Sequence, residues 1–121
     1  MSYIAVVDYG AGNLMSVANT LKYLGCESKI AQDTKTIENA SGVILSGVGA
    51  FPDAMAALAE SGLTDAVKTA AKIKPFLGIC LGMQMLFESS NEVRPCEGLG
   101  LLEGNISRIQ TDLILPQIGW N

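Results

Sequence analysis

With 121 residues, 49% of them hydrophobic and 17% charged, the chain fits one compact domain or part of one and is too apolar for wholesale disorder. Its net charge of −4 without a basic cluster argues against nucleic acid as a main partner, and no apolar run approaches the roughly 20 residues of a membrane span. No basic signal or transit peptide opens it, and an odd set of cysteines without close pairing, Cys26, Cys80 and Cys96, fits a reducing cytoplasm.

Strands and helices alternate along the chain. Tyr3-Ile4-Ala5-Val6-Val7-Asp8-Tyr9 is a short apolar run closed by a glycine turn, the pattern of a buried strand. Leu14, Val17, Ala18, Leu21 and Leu24 then recur at helical spacing, with Asn13 as N-cap and Gly25 as stop. Residues 27–31 form a weaker strand, 33–39 a short helix and 42–45 a better strand. After a glycine loop, Phe51, Met55 and Leu58 carry a helix that Pro52 helps to start and Gly62 ends. Leu63, Ala66, Val67 and Ala70 mark one more before the strand that leads to Cys80. This rhythm predicts an α/β fold with a parallel sheet covered on both faces, in which sites form at the carboxyl ends of the strands. Gly10 to Gly12, Gly47 to Gly49 and the turn at Cys80 should converge there.

The stretch Gly78-Ile79-Cys80-Leu81-Gly82-Met83-Gln84 reads as a strand that stops at a cysteine and restarts as a helix. A free cysteine is most often a core residue. Here the Gly-x-Cys-x-Gly frame points instead to exposure, because a tight turn leaves no room for a Cβ at either glycine. The helix behind should aim N–H groups and its dipole at the sulfur, favouring the reactive thiolate. Gln84, one turn on, can face the same cleft.

Neither Gly10-Ala11-Gly12 nor Gly47-Val48-Gly49 completes a dinucleotide fingerprint, and no phosphate-loop motif occurs, so no cofactor is expected. A thiolate attacking an amide or ester carbonyl creates an oxyanion that needs backbone donors. The N–H of Leu81 is one candidate and a peptide of the Gly47-Val48-Gly49 loop the second, although glycines there also suit an ordinary turn.

The cysteine motif resembles the nucleophile motif of class I glutamine amidotransferases. Asp8-Tyr9-Gly10-Ala11-Gly12-Asn13, Ser46-Gly47-Val48-Gly49-Ala50-Phe51 and Pro116-Gln117-Ile118-Gly119-Trp120-Asn121 narrow the likeness to the glutaminase subunits of imidazole glycerol phosphate synthases. The resemblance implies a flavodoxin-like three-layer sandwich with a mostly parallel sheet, residues 1–121 being an N-terminal portion of the amidotransferase domain. It implies a Cys-His-Glu hydrolase that forms a thioester with glutamine and passes ammonia to a (β/α)8-barrel cyclase in a cytoplasmic heterodimer serving histidine and purine-precursor synthesis. By the same resemblance Cys80 is the nucleophile, and Gly47, Val48 and Leu81 belong to the oxyanion region. Gly49, Gln84 and Glu92 hold the glutamine, while Asn13 and Trp120 face the cyclase. On its own chemistry, Glu92 beside Ser89, Ser90 and Asn91 reads as a solvated loop carboxylate and the lone tryptophan equally as core.

Three features depart from that pattern: Ser46 stands where the family usually has proline, Gln117 where it commonly has histidine, and the chain contains no histidine at all. The deacylating water needs a general base and the departing ammonia an acid, so the chain alone is expected to be inactive and to represent part of a longer protein. Other readings stay open: another cysteine-elbow hydrolase, a surface-sugar amination paralogue, or a non-catalytic scaffold.

Overall fold

A computed structural model describes residues 2–108; the Pro116–Asn121 motif, with Gln117 and Trp120, lies outside the described residues. The first strand, β1 (Ile4–Val7), is apolar and almost wholly buried. It leads to α1 (Leu14–Tyr23), where the Asn13 side chain accepts a hydrogen bond from the Ser16 N–H and so caps the first turn. Gly25, at φ +79°, takes the left-handed position that ends the helix. Strand β2 (Ser28–Ala31) and the five-residue helix α2 (Thr34–Glu38), capped by Asp33, follow as expected.

Strand β3 (Gly42–Gly47) is buried along its whole length, as an inner parallel strand must be. Helix α3 (Phe51–Ser61) has Pro52 in its first turn and stops at Gly62, which has φ +77°. Helix α4 (Thr64–Ile73) buries Ala66, Val67 and Ala70, and β4 (Phe76–Cys80) runs up to the cysteine. The four strands form a parallel sheet in the order β2-β1-β3-β4, the doubly wound arrangement.

Strand alternation divides the apolar residues between two faces. Ala5, Val7, Val43 and Leu45 join Ile37, Phe51, Leu58 and Val67 from the helices in the main core. Val6 and Ile44 meet Leu21 of α1 on the opposite face. There, Leu77 is 55% exposed and Leu24 65%, and together with Ile44 and Ile79 they line an open groove of about 270 Å3.

Past the cysteine the chain departs from the predicted rhythm. Helix α5 (Leu81–Gln84) is a single turn, and a small second sheet follows, built from β5 (Phe87–Ser90), β6 (Cys96–Glu97) and β7 (Leu102–Ile106) in the order β6-β5-β7. It is joined to the elbow by backbone bonds from Leu99 N–H to Met85 O at 2.8 Å and from Leu101 N–H to Leu86 O at 2.8 Å. Met85, directly after the turn, is buried in the main core.

Candidate active site

Cys80 lies at the carboxyl end of β4 with φ 55° and ψ −123°, the one non-glycine residue with positive φ among the described residues. An L-residue in that region carries about 1–3 kcal/mol of strain, which persists only where the surroundings hold it. What holds it is close backbone packing. A Cβ on Gly78 would lie 2.7 Å from Met83 Cα, and one on Gly82 would strike the Leu45 carbonyl, lying 2.6 Å from its carbon. The two glycines that frame the cysteine are therefore required by space, and the sulfur is left exposed.

The register between β3 and β4 sets Gly47 directly beside Cys80. A Cβ on Gly47 would lie 3.2 Å from Gly82 N and from Leu81 Cβ, so the third strand's loop and the elbow touch through backbone. Gly47 is buried, whereas Val48 is 64% exposed and Gly49 has φ +98°. The loop is thus packed at its base and open at its tip. Gly12, at φ +101°, closes the group: a Cβ there would meet Ser46 Oγ at 2.6 Å and Gly47 N at 3.3 Å. The three glycine loops converge, as open parallel sheets lead one to expect.

Not every predicted residue joins this cluster. Leu81 is buried in the first turn of α5 and Gln84 is its half-buried last residue. Because α5 has only four residues, the dipole expected of a longer helix is reduced to the few free N–H groups of one turn. Glu92 is exposed between β5 and β6, its backbone N–H donating to Ser90 Oγ at 3.2 Å, and no hydrogen bond among the described residues ties it to the elbow. Exposed Asn13 is engaged as the cap of α1.

Tyr9 was not singled out from the sequence. It is buried, and its hydroxyl donates to the Ser46 carbonyl at 2.7 Å and lies 3.4 Å from Met85 Sδ. Burial pushes its phenol up to about 12. Beside it, Ser46 Oγ is buried with no hydrogen-bond partner among the described residues. The clue available was a tyrosine closing a mostly apolar strand run, since a buried phenol seeks an acceptor.

A parallel sheet of this order with a strained cysteine between strand and helix defines a cysteine-elbow α/β protein. More narrowly, the chain belongs to the class-I glutamine amidotransferase family, whose model matches residues 5–110. It is 51% identical over 119 residues to the imidazole glycerol phosphate synthase subunit HisH of Bacillus cereus, a match covering 98% of this chain and 57% of the relative. The subunit of the same name from Caldanaerobacter subterraneus subsp. tengcongensis is 49% identical, with 98% and 59% covered. A solved structure described as a glutamine amidotransferase superposes with a TM-score of 0.70 at 24% identity, over 86% of this chain and 56% of that one, a likeness of fold. The chain thus spans less than three fifths of the length of these relatives.

Proposed function

We propose that this chain carries the nucleophilic half of a glutaminase site. The Cys80 thiolate adds to the side-chain amide carbon of glutamine, and the carbonyl electrons move to oxygen. The oxyanion collapses, the C–N bond breaks, and ammonia leaves after gaining a proton. Water then cleaves the thioester to glutamate. The oxyanion is held by the N–H of Leu81 and a peptide of Gly47–Val48, with Gly49, Gln84 and Glu92 receiving the rest of the substrate. The observation that carries this reading is the exposed, positive-φ cysteine set in register with Gly47.

We propose further that the ammonia passes to a (β/α)8-barrel cyclase in a cytoplasmic heterodimer with lyase activity for histidine synthesis, with Asn13 facing the partner; the likeness to HisH subunits supports the synthase assignment. A thiolate adds without help, but the leaving ammonia and the attacking water need an acid and a base. A chain without histidine supplies neither in the usual form. We therefore expect labelling without turnover. Mass spectrometry of the purified chain treated with a chloroketone analogue of glutamine should find Cys80 modified in preference to Cys26 and Cys96, while ammonia release from glutamine stays negligible. Equal labelling of all three cysteines would remove the reading in favour of a scaffold, and ammonia release at ordinary enzymatic rates would show that the acid and base are supplied by other groups.

A further inference from the structure

We propose that Tyr9 is a positioning residue for the Gly47–Gly49 loop: its hydroxyl, by donating to the Ser46 carbonyl, fixes the Ser46–Gly47 peptide and hence the angle at which the loop leaves β3 beside Cys80. The hydrogen-bonded ladder between β1 and β3 ends at Val6 and Ile44, yet β3 continues to Gly47. Where the β1 backbone has left the sheet, the Tyr9 side chain reaches across with a 2.7 Å bond to the Ser46 carbonyl. The Tyr9 hydroxyl oxygen also lies 3.4 Å from Met85 Sδ, just past the elbow, and would lie 2.5 Å from a Cβ on Gly47. One atom therefore touches the base of the loop and the segment that follows the nucleophile.

The phenol has a single proton, and thioether sulfur is a weak acceptor, so the carbonyl takes the bond. Because the peptide is planar, holding the Ser46 carbonyl also holds the Gly47 N–H. Ser46 Oγ, which has no hydrogen-bond partner among the described residues, adds no anchor. Beyond Gly47 the exposed Val48 and the positive-φ Gly49 leave the tip free, so the direction of the loop is decided at its root. A phenol is protonated, and so a donor, throughout the neutral range, and burial, which pushes this one up to about 12, only widens that margin.

The inference rests on Cys80 being an amide-directed nucleophile, and the test separates the two. The purified chain and its Y9F and Y3F variants are treated with the chloroketone analogue of glutamine and, separately, with iodoacetamide. Both leave a sulfur–carbon bond in place of a carbon–halogen bond and release halide. Iodoacetamide reacts by direct displacement at its methylene, whereas the chloroketone, bound as a glutamine analogue, also presents an electrophilic ketone carbonyl to which the thiolate adds to give an oxyanion. Tyr3 is the matched control, its hydroxyl donating to the Thr36 carbonyl at 2.7 Å in another part of the sheet. Y9F should lower the saturating rate of chloroketone labelling at Cys80 about 10-fold, less than the loss of a direct oxyanion donor, with half-saturation and the iodoacetamide rate unchanged. Y3F should change neither.

Labelling of Y9F at the wild-type rate overturns the role of Tyr9 alone, as does equal slowing with both reagents. No preference of the wild-type Cys80 for the chloroketone overturns the nucleophile reading beneath it. Amide exchange in the wild type gives a measurement independent of the variants' folding: Gly47 should be protected while Val48 and Gly49 exchange quickly. Equally fast exchange at all three positions overturns the proposal.

Discussion

Replacing Gly82 with alanine tests the whole elbow geometry. The new Cβ would press on the Leu45 carbonyl, 2.6 Å from its carbon and 3.0 Å from Ser46 Cα. Carbon atoms settle at about 3.5–4.0 Å, so α5 and β3 must separate by about 1 Å. Both sides of the clash are backbone, and no side-chain rotation relieves it. Overpacking of this kind costs about 1–3 kcal/mol, and the rigid contact places G82A near the upper end. With a urea slope of about 1–1.5 kcal/mol per M for a domain of this size, the midpoint should fall by about 2 M. Displacing the nucleophile by about 1 Å from the loop should also slow chloroketone labelling of Cys80 by about 100-fold. G49A serves as the comparison: its Cβ meets nothing within 4 Å, and φ +98° leaves only a backbone cost of about 1–2 kcal/mol. Urea titration followed by far-ultraviolet circular dichroism and labelling measured by mass spectrometry read the two effects separately. A G82A protein with the wild-type midpoint and labelling rate would refute the contact between elbow and third strand.

Lys74 Nζ donates to the carbonyls of Ile37 at 3.1 Å, Glu38 at 2.5 Å and Ala40 at 2.7 Å, closing the end of α2. K74M should cost about 1–2 kcal/mol in urea titration, the lower part of the range for charged hydrogen bonds because the site is half exposed, and leave Cys80 labelling intact. Asp33 is held below the usual carboxylate range by hydrogen bonds from Thr36, side chain first and backbone N–H second, with a smaller attraction from Lys35. Its folded value being lower than its unfolded one, the cap's contribution is present above the ordinary carboxylate range and disappears as pH falls through the folded value. D33N should remove that part of the acid-side loss of stability, read as urea midpoints from neutral pH downward. On the α1 face, exposed Leu77 and Leu24 should bind a hydrophobic fluorescent dye, and L77N should reduce that signal by roughly half.

The elements of the four-stranded sheet and the nature of the cysteine turn were legible in the residue pattern alone. Apolar spacing marked α1, α3 and α4, Asn13 and Gly25 bounded the first of them, and Gly78 and Gly82 announced a bend too tight for side chains. These signals are local, carried by residues within a few positions of each other. The second sheet was illegible because Glu88, Ser89, Ser90 and Glu103, Gly104, Asn105 are mostly polar and lack the alternation of a half-buried strand. The shortness of α5 was hidden for a related reason: the backbone bonds from Leu99 and Leu101 end it, and they come from outside the motif.

The order β2-β1-β3-β4, the pairing of Gly47 with Cys80, and the reach of Tyr9 to a carbonyl 37 residues away emerge only in the folded chain. Strand order and register follow from how whole faces pack together, and no spacing within one segment encodes them. The chemistry of the sulfur was written in its immediate neighbours, whereas the place of the groups around it was set by the sheet.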